Sequence, residues 1–176
     1  MEKNKRGVSP IIATVLIAMI SIAAIAILAG ALVPFVRESL QKSAECMPYK
    51  EYFLFDESFG YNCKTSENIY IVSIKASFDK TLSENIEGAK LVLNRRDGTN
   101  KVLEIRQGAS SSLLEGGISI AGEVQANLRI PSKGGIVSYV YNASVSDEFL
   151  SAEVYPVLNG GRICADSIES IDIKSC

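Results

Sequence analysis

Residues 11–33 read IIATVLIAMISIAAIAILAGALV, 23 consecutive positions without a charge, of which Thr14 and Ser21 are the most polar. As a helix rising 1.5 Å per residue the run is about 35 Å long, enough to cross a hydrocarbon core of about 30 Å with modest tilt. A helix buried in a soluble core is rarely so long and apolar on every face. The segment is therefore expected to span a membrane. Lys3, Lys5 and Arg6 precede it against the single Glu2. Such a basic flank stays cytoplasmic, so the residues after the span are expected outside.

The flanks set the bounds of the element. Ser9 can cap free amides and Pro10 suits a first helical position, where its missing N–H costs nothing. Beyond the apolar run Val33, Val36, Leu40 and Ala44 recur at spacings of three or four, so the helix continues past the membrane. Pro34 leaves the Gly30 carbonyl without its helical donor and predicts a bend. Pro48 disfavours a helical Met47 and predicts the stop. One helix over residues 10–45, about 54 Å long, is expected.

Three uses of this segment compete. A cleaved secretory signal has 7 to 15 apolar residues and a small-x-small site, which Ala29, Gly30 and Ala31 would supply only by discarding the whole run. An uncleaved anchor needs nothing more than the run itself. The third use draws on Lys5-Arg6-Gly7 followed at once by Val8-Ser9-Pro10-Ile11-Ile12, a processing-like junction on the cytoplasmic side.

Residues 3–33, KNKRGVSPIIATVLIAMISIAAIAILAGALV, resemble the N-terminus of archaeal type IV pilins. That class carries a class III signal peptide: a short basic leader ending in Arg-Gly, then a Val-Ser-Pro-Ile start to the apolar helix. The resemblance implies cleavage by a prepilin peptidase at Arg6, Gly7 and Val8, after Gly7, with the bond before Gly7 as the alternative. Bacterial pilins carry glutamate at the fifth mature position, where this chain has Ile12, and archaellins carry glycine at the third, where Pro10 stands. A pilus subunit is thus expected ahead of an archaellum filament subunit. The partners implied are the same or related pilins, the prepilin peptidase, an assembly platform with its ATPase, and the membrane before assembly.

The small residues Ala18, Ser21, Ala26 and Gly30 agree with helix-on-helix packing, where lipid offers no hydrophobic drive and close approach decides. Alanine is also simply a good helix former, so the stripe carries little weight alone.

The remaining residues read as a secreted β domain. Histidine is absent from the 176 residues, which removes the commonest general base and the commonest zinc nitrogen ligand. No phosphate-cradling glycine loop or GxSxG elbow occurs, so no enzyme is expected and no cofactor. Residues 49–176 hold 13 basic and 17 acidic side chains, no field for a nucleic acid. Alternation over Glu123–Ile130 predicts a half-buried strand. Pro131–Gly135 predicts a turn, and Val137, Tyr139, Tyr141, Ala143 and Val145 one face of a second strand, antiparallel to the first. Asp97-Gly98 predicts a hairpin between residues 90–94 and 101–105, and further strands are expected over 69–78 and 152–158. Short strands at this spacing favour an antiparallel sandwich, immunoglobulin-like by strand count although no tryptophan is present.

Cys46, Cys63, Cys164 and Cys176 all follow the span, on the side where disulfides persist. Four cysteines allow three connectivities. Local pairing, Cys46 with Cys63 and Cys164 with Cys176, is the expectation, worth about 3 kcal/mol each at best. Without histidine or CxxC spacing a metal site is not expected, and Asp166, Glu169 and Asp172 read as a solvated acidic edge. Asn142-Ala143-Ser144 is a glycosylation sequon of the kind chance supplies about once in such a chain.

The fold expected is mainly β with a long N-terminal helix, a pilin-like lollipop: leader 1–7, helical segment 8–48 with the span at 11–33, and an extracellular sandwich head at 49–176. The function expected is a structural, adhesive subunit of an archaeal type IV pilus-like filament at the cell surface, single-pass with a cytoplasmic N-terminus before processing. The rival is a single-pass tethered binding module that does not polymerise.

Overall fold

The computed structural model describes residues 10–78, 80–123, 126–165 and 168–176, and the chain divides into two compact units, 1–44 and 45–176. The first is dominated by one helix, α1 (Pro10–Cys46), 37 residues long with Pro34 inside it. Its described part begins at Pro10, and it stops two residues before Pro48, which lies in a single 3-10 turn, Met47–Tyr49. The stop follows from proline chemistry.

The second unit is built of strands. In chain order these are β1 (Phe53–Phe55), β2 (Cys63–Lys64), β3 (Ile69–Ala76), a short helix α2 (Lys80–Ser83), β4 (Ile86–Arg95), β5 (Asn100–Arg106), β6 (Ile118–Ile120), β7 (Ile136–Asn142), β8 (Phe149–Leu158), β9 (Arg162–Ile163), β10 (Glu169–Asp172) and β11 (Lys174–Ser175). Among the described residues they form two sheets. The first runs β11-β2-β3-β7-β6 with β1 also on β3, and the second β10-β8-β4-β5 with β9 also on β8. All pairs are antiparallel except β11 with β2.

Alternation decides which side chains go in. Tyr70, Val72 and Ile74 of β3 face Tyr141, Tyr139 and Val137 of β7 across the ladder, and Leu91 of β4 faces Leu103 of β5 and Val154 of β8. All are buried, and both sheets contribute to one hydrophobic cluster. The chain is thus mainly β with a long N-terminal helix.

Several sequence expectations are met by local chemistry. The β4–β5 hairpin turns where Asp97-Gly98 stands: Gly98 sits at φ +82°, and the Asp97 carboxylate accepts from the Thr99 amide and hydroxyl at 2.9 and 2.7 Å. Gly88 lies beside a register shift in β4, where a Cβ would stand 2.5 Å from the Ile105 carbonyl oxygen. β3 and β8 occupy the stretches expected for them, and Gly135 closes the turn after Pro131 by donating to the Ser132 carbonyl at 2.6 Å.

Two expectations fail. Glu123–Ile130 is not a strand in its described residues, and β7 pairs with β3 and β6 instead. Leu128 is buried between exposed Asn127 and Arg129, so the alternation is real, but the segment lies along residues 107–109 through Leu128–Ala109 and Gly108–Leu128 backbone bonds of 2.7 and 2.8 Å. Alternation specifies a half-buried extended segment, and a strand also needs a neighbouring ladder. Val145, expected on the inner face, is 97% exposed because β7 ends at Asn142 and a turn closed by Asp147 and Ser144 follows.

Candidate functional site: apolar helix, tied head and an outward groove

Helix α1 is long and apolar enough to cross a membrane. No residue from 11 to 41 is buried, so Ile17, Ile22, Ile25, Ile27 and Phe35 all point outward. Its two hydroxyls near the start are turned back on the backbone: Thr14 donates to the Ile11 carbonyl at 2.9 Å and Ser21 to the Ile17 carbonyl at 2.8 Å. The surface therefore offers a lipid no unsatisfied hydroxyl donor there. A Cβ built on Gly30 meets nothing within 4 Å, so this glycine leaves an open notch on the helix. The junction Arg6, Gly7, Val8 and the expected cap Ser9 lie outside the described residues.

All four cysteines are bridged, but not locally. Cys46 pairs with Cys164 and Cys63 with Cys176, over Cα separations of 5.3 and 5.2 Å. The expected Cys46–Cys63 and Cys164–Cys176 pairs are thereby corrected. The reason is topological. β11 runs parallel beside β2, with Lys174 opposite Cys63, which sets Cys176 next to the β2 thiol. Cys164 follows β9, on the same side of the unit as Cys46, where the Arg162 guanidinium also pairs with the Glu45 carboxylate. The sequence separations, 118 and 113 residues, are close to the length of the unit. Such bonds persist where the surroundings are oxidising.

Asn142 ends β7 on the face opposite Tyr139 and Tyr141. Its Nδ2 donates to the Leu113 carbonyl at 2.9 Å and its backbone is bonded to residues 116 and 117. The amide of the sequon is thus engaged with a loop. Glu169 and Asp172 sit in β10, and Asp166 lies outside the described residues. Among the described residues no group of three or more His, Cys, Asp or Glu side chains is placed to hold a metal.

The outward faces of the two sheets differ. On the second, charges are paired in a row: Lys90 with Glu104 at 3.3 Å, Arg106 with Glu104 at 3.2 Å and with Glu87 at 3.8 Å. Asn94 donates to Glu153 at 2.7 Å, and the Tyr155 phenol donates to the same carboxylate. Burial and that hydrogen bond push Tyr155 up to about 12.

On the first sheet a groove of about 430 Å³ is lined by Tyr61, Ile71, Ile120, Glu123, Arg129 and Ser138, among others. Asn62 is buried and clamps the loop before β2 at both ends, donating to the Asp56 carbonyl at 2.8 Å and accepting from the Ser73 amide at 2.9 Å. This presents Tyr61 stacked on Phe59, ring centroids 6.0 Å apart at 24°. Across the groove Arg129 makes a bidentate pair with Glu123, both distances 2.7 Å, and its carbonyl accepts from the buried Tyr139 phenol at 2.6 Å. The Arg129 hydrogen bond holds the Glu123 carboxyl below its ordinary range, and burial raises Tyr139. The sequence reading did not single out this groove. Its one local signal is Phe59-Gly60-Tyr61, two aromatics about a glycine at φ +66°.

No family model, curated protein or solved structure matches this chain.

Proposed function

We propose that the chain is a pilin, the structural subunit of an archaeal type IV pilus-like filament that serves adhesion at the cell surface. The observation that carries this reading is a helix on which no side chain from residue 11 to 41 is buried, joined in sequence to a leader of the Lys-Arg-Gly-Val-Ser-Pro kind. A helix apolar all round is solvated by lipid before assembly and by sister helices afterwards. The leader's Lys3, Lys5 and Arg6 oppose the exchange, since each charge drawn into a bilayer centre costs about 2.5–3.5 kcal/mol or more. A prepilin peptidase cutting after Gly7 removes them and frees the helix for an assembly platform driven by its ATPase. The head, an immunoglobulin-like sandwich in this reading, stays outside, where its two disulfides persist. Its role is structural, without catalysis.

The test is intact mass and N-terminal sequencing of the protein from its own cells, with Gly7→Phe as the variant. Val8 as first residue, and loss of filaments in Gly7→Phe, are the expected results. An intact N-terminus on solitary molecules overturns the proposal in favour of a tethered binding module. A start near Leu32 overturns it in favour of ordinary secretion.

A further inference from the structure

We propose that the groove between Tyr61 and the Glu123–Arg129 pair binds a neutral saccharide, through ring stacking on Tyr61 and hydroxyl contacts to the ion pair. The inference rests on the filament reading only in placing the head outside the cell.

Four properties of the groove converge on this chemistry. Its volume, about 430 Å³, falls in the range of small-ligand sites rather than of flat protein interfaces. Ile71 lines it beside polar groups, while one side carries an aromatic ring that is 48% exposed, stacked on Phe59 and next to the Asn62 clamp. A ring so fixed offers a flat surface to the C–H face of a sugar with little ordering cost.

The opposite wall decides the charge of the ligand. Glu123 and Arg129 neutralise each other through two hydrogen bonds of 2.7 Å, so the groove presents no net field to a phosphate, a carboxylate or an ammonium group. The pair is nonetheless unsaturated. A guanidinium carries five N–H donors and a carboxylate about four lone-pair sites, and only two of each are used within the pair. Ser138 adds a hydroxyl, already bonded to Ser73 at 2.6 Å and therefore oriented. Donors and acceptors side by side, opposite a ring face, suit vicinal hydroxyls on a ring with one apolar side. On the second sheet Tyr155 does not do the same, because its phenol and the Glu153 carboxylate already bond each other and Asn94.

The test uses the full chain in a detergent without a sugar headgroup. Its probes are soluble cellotetraose, chitotetraose and mannotetraose, and suspended cellulose and chitin. Binding of the soluble probes is read by titration calorimetry, which does not depend on Tyr61 as a reporter, and binding of the polymers by retention of the chain on them. Saturable binding of at least one probe is expected. Tyr61→Ala should weaken it about tenfold or more, Tyr61→Phe should keep it within about threefold, and Glu123→Gln should weaken it. Unchanged thermal melting of the head shows that each variant folds. Binding to the tetraoses assigns free sugars, and retention on the suspended polymers alone assigns surface-displayed chains. Either supports the groove when Tyr61→Ala abolishes it. No probe binding tighter than about 10 mM overturns the proposal, as does binding that Tyr61→Ala leaves intact. Concentration-dependent pairing of heads that Tyr61→Ala removes, without sugar binding, overturns it in favour of a second copy. Binding is read on dispersed chains. An unprocessed, solitary chain that binds sugar therefore sinks the filament and keeps the groove, and filaments that bind none do the reverse.

Discussion

The two units use apolar side chains in opposite ways. Between residues 11 and 41 none is buried, whereas in 45–176 Tyr70, Ile74, Leu91, Leu93, Ile105 and Val154 are fully enclosed. A head with an interior is held in water by its own packing and cross-links. A helix without one is held by its surroundings, first by lipid and, in the proposed filament, by its own kind. Stability of the head should therefore be a property of the chain, and order in the helix a property of its solvent.

The disulfides give the sharpest way to break this contrast. Closing loops of 118 and 113 residues is worth about 5 kcal/mol for the first bond in the loop-entropy model, and less for the second because the two loops interlace. Reduction should lower the unfolding free energy of the head, from urea titration followed by tyrosine emission, by that order, while the helical circular dichroism of α1 in detergent stays. An unchanged midpoint, or a helix that melts with the head, would remove the distinction. Leu93→Ala should cost the head about 2–5 kcal/mol, since Leu93 is fully buried between β5 and β8. Ile22→Ala, the same kind of truncation on the helix, should leave the head's unfolding free energy within about 0.5 kcal/mol.

A third variant separates lipid from sister helices as the helix's surroundings. Gly30→Leu replaces a poor helix former by a good one, and nothing within 4 Å obstructs it in the single chain. The dispersed subunit should be as helical as before or more so. Assembly, which draws on close approach at small residues, should fall to a small fraction of the parent's filament yield by electron microscopy. Undiminished filaments would exclude Gly30 from the packing surface.

How much of this was legible in the sequence follows the range of the information. The span and its proline-set stop are local facts of composition and backbone geometry, and the Asp97-Gly98 turn fixes its own hairpin. Glu123–Ile130 announced its burial pattern and not its neighbour, because whether Leu128 meets a strand or the 107–109 loop is decided by chain far away. Cysteine connectivity fails for the same reason. Proximity in sequence favoured Cys46 with Cys63, and only the parallel seating of β11 on β2 brings Cys176 to Cys63. The groove unites Tyr61, the Glu123–Arg129 pair and Ser138 from three separate stretches, so no spacing rule points to it.

The smallest effects concern pH, and they distinguish the head's two outward faces. Glu104 on the second sheet is held below the ordinary glutamate range first by its hydrogen bond from Lys90 and then by the Lys90 and Arg106 charges, and Glu123 on the first by Arg129. Carboxylates with depressed folded values lend stability that is full above about pH 4.3 and is lost as pH falls through the folded value. Both are solvated, so this acid limb is shallow. The phenols act in the other direction. Burial raises Tyr139 and, with the bond to Glu153, brings Tyr155 to about 12. Their contribution is full below the unfolded phenol value of about 10 and is lost as pH rises beyond it. Urea midpoints measured across pH should therefore fall more steeply on the alkaline side. Tyr155→Phe removes one titrating phenol and should flatten that limb while leaving the acid limb alone. A variant whose alkaline limb is as steep as the parent's would assign the loss to Tyr139 and Tyr141, which burial also raises, and leave the charge-paired face of the second sheet insensitive to base.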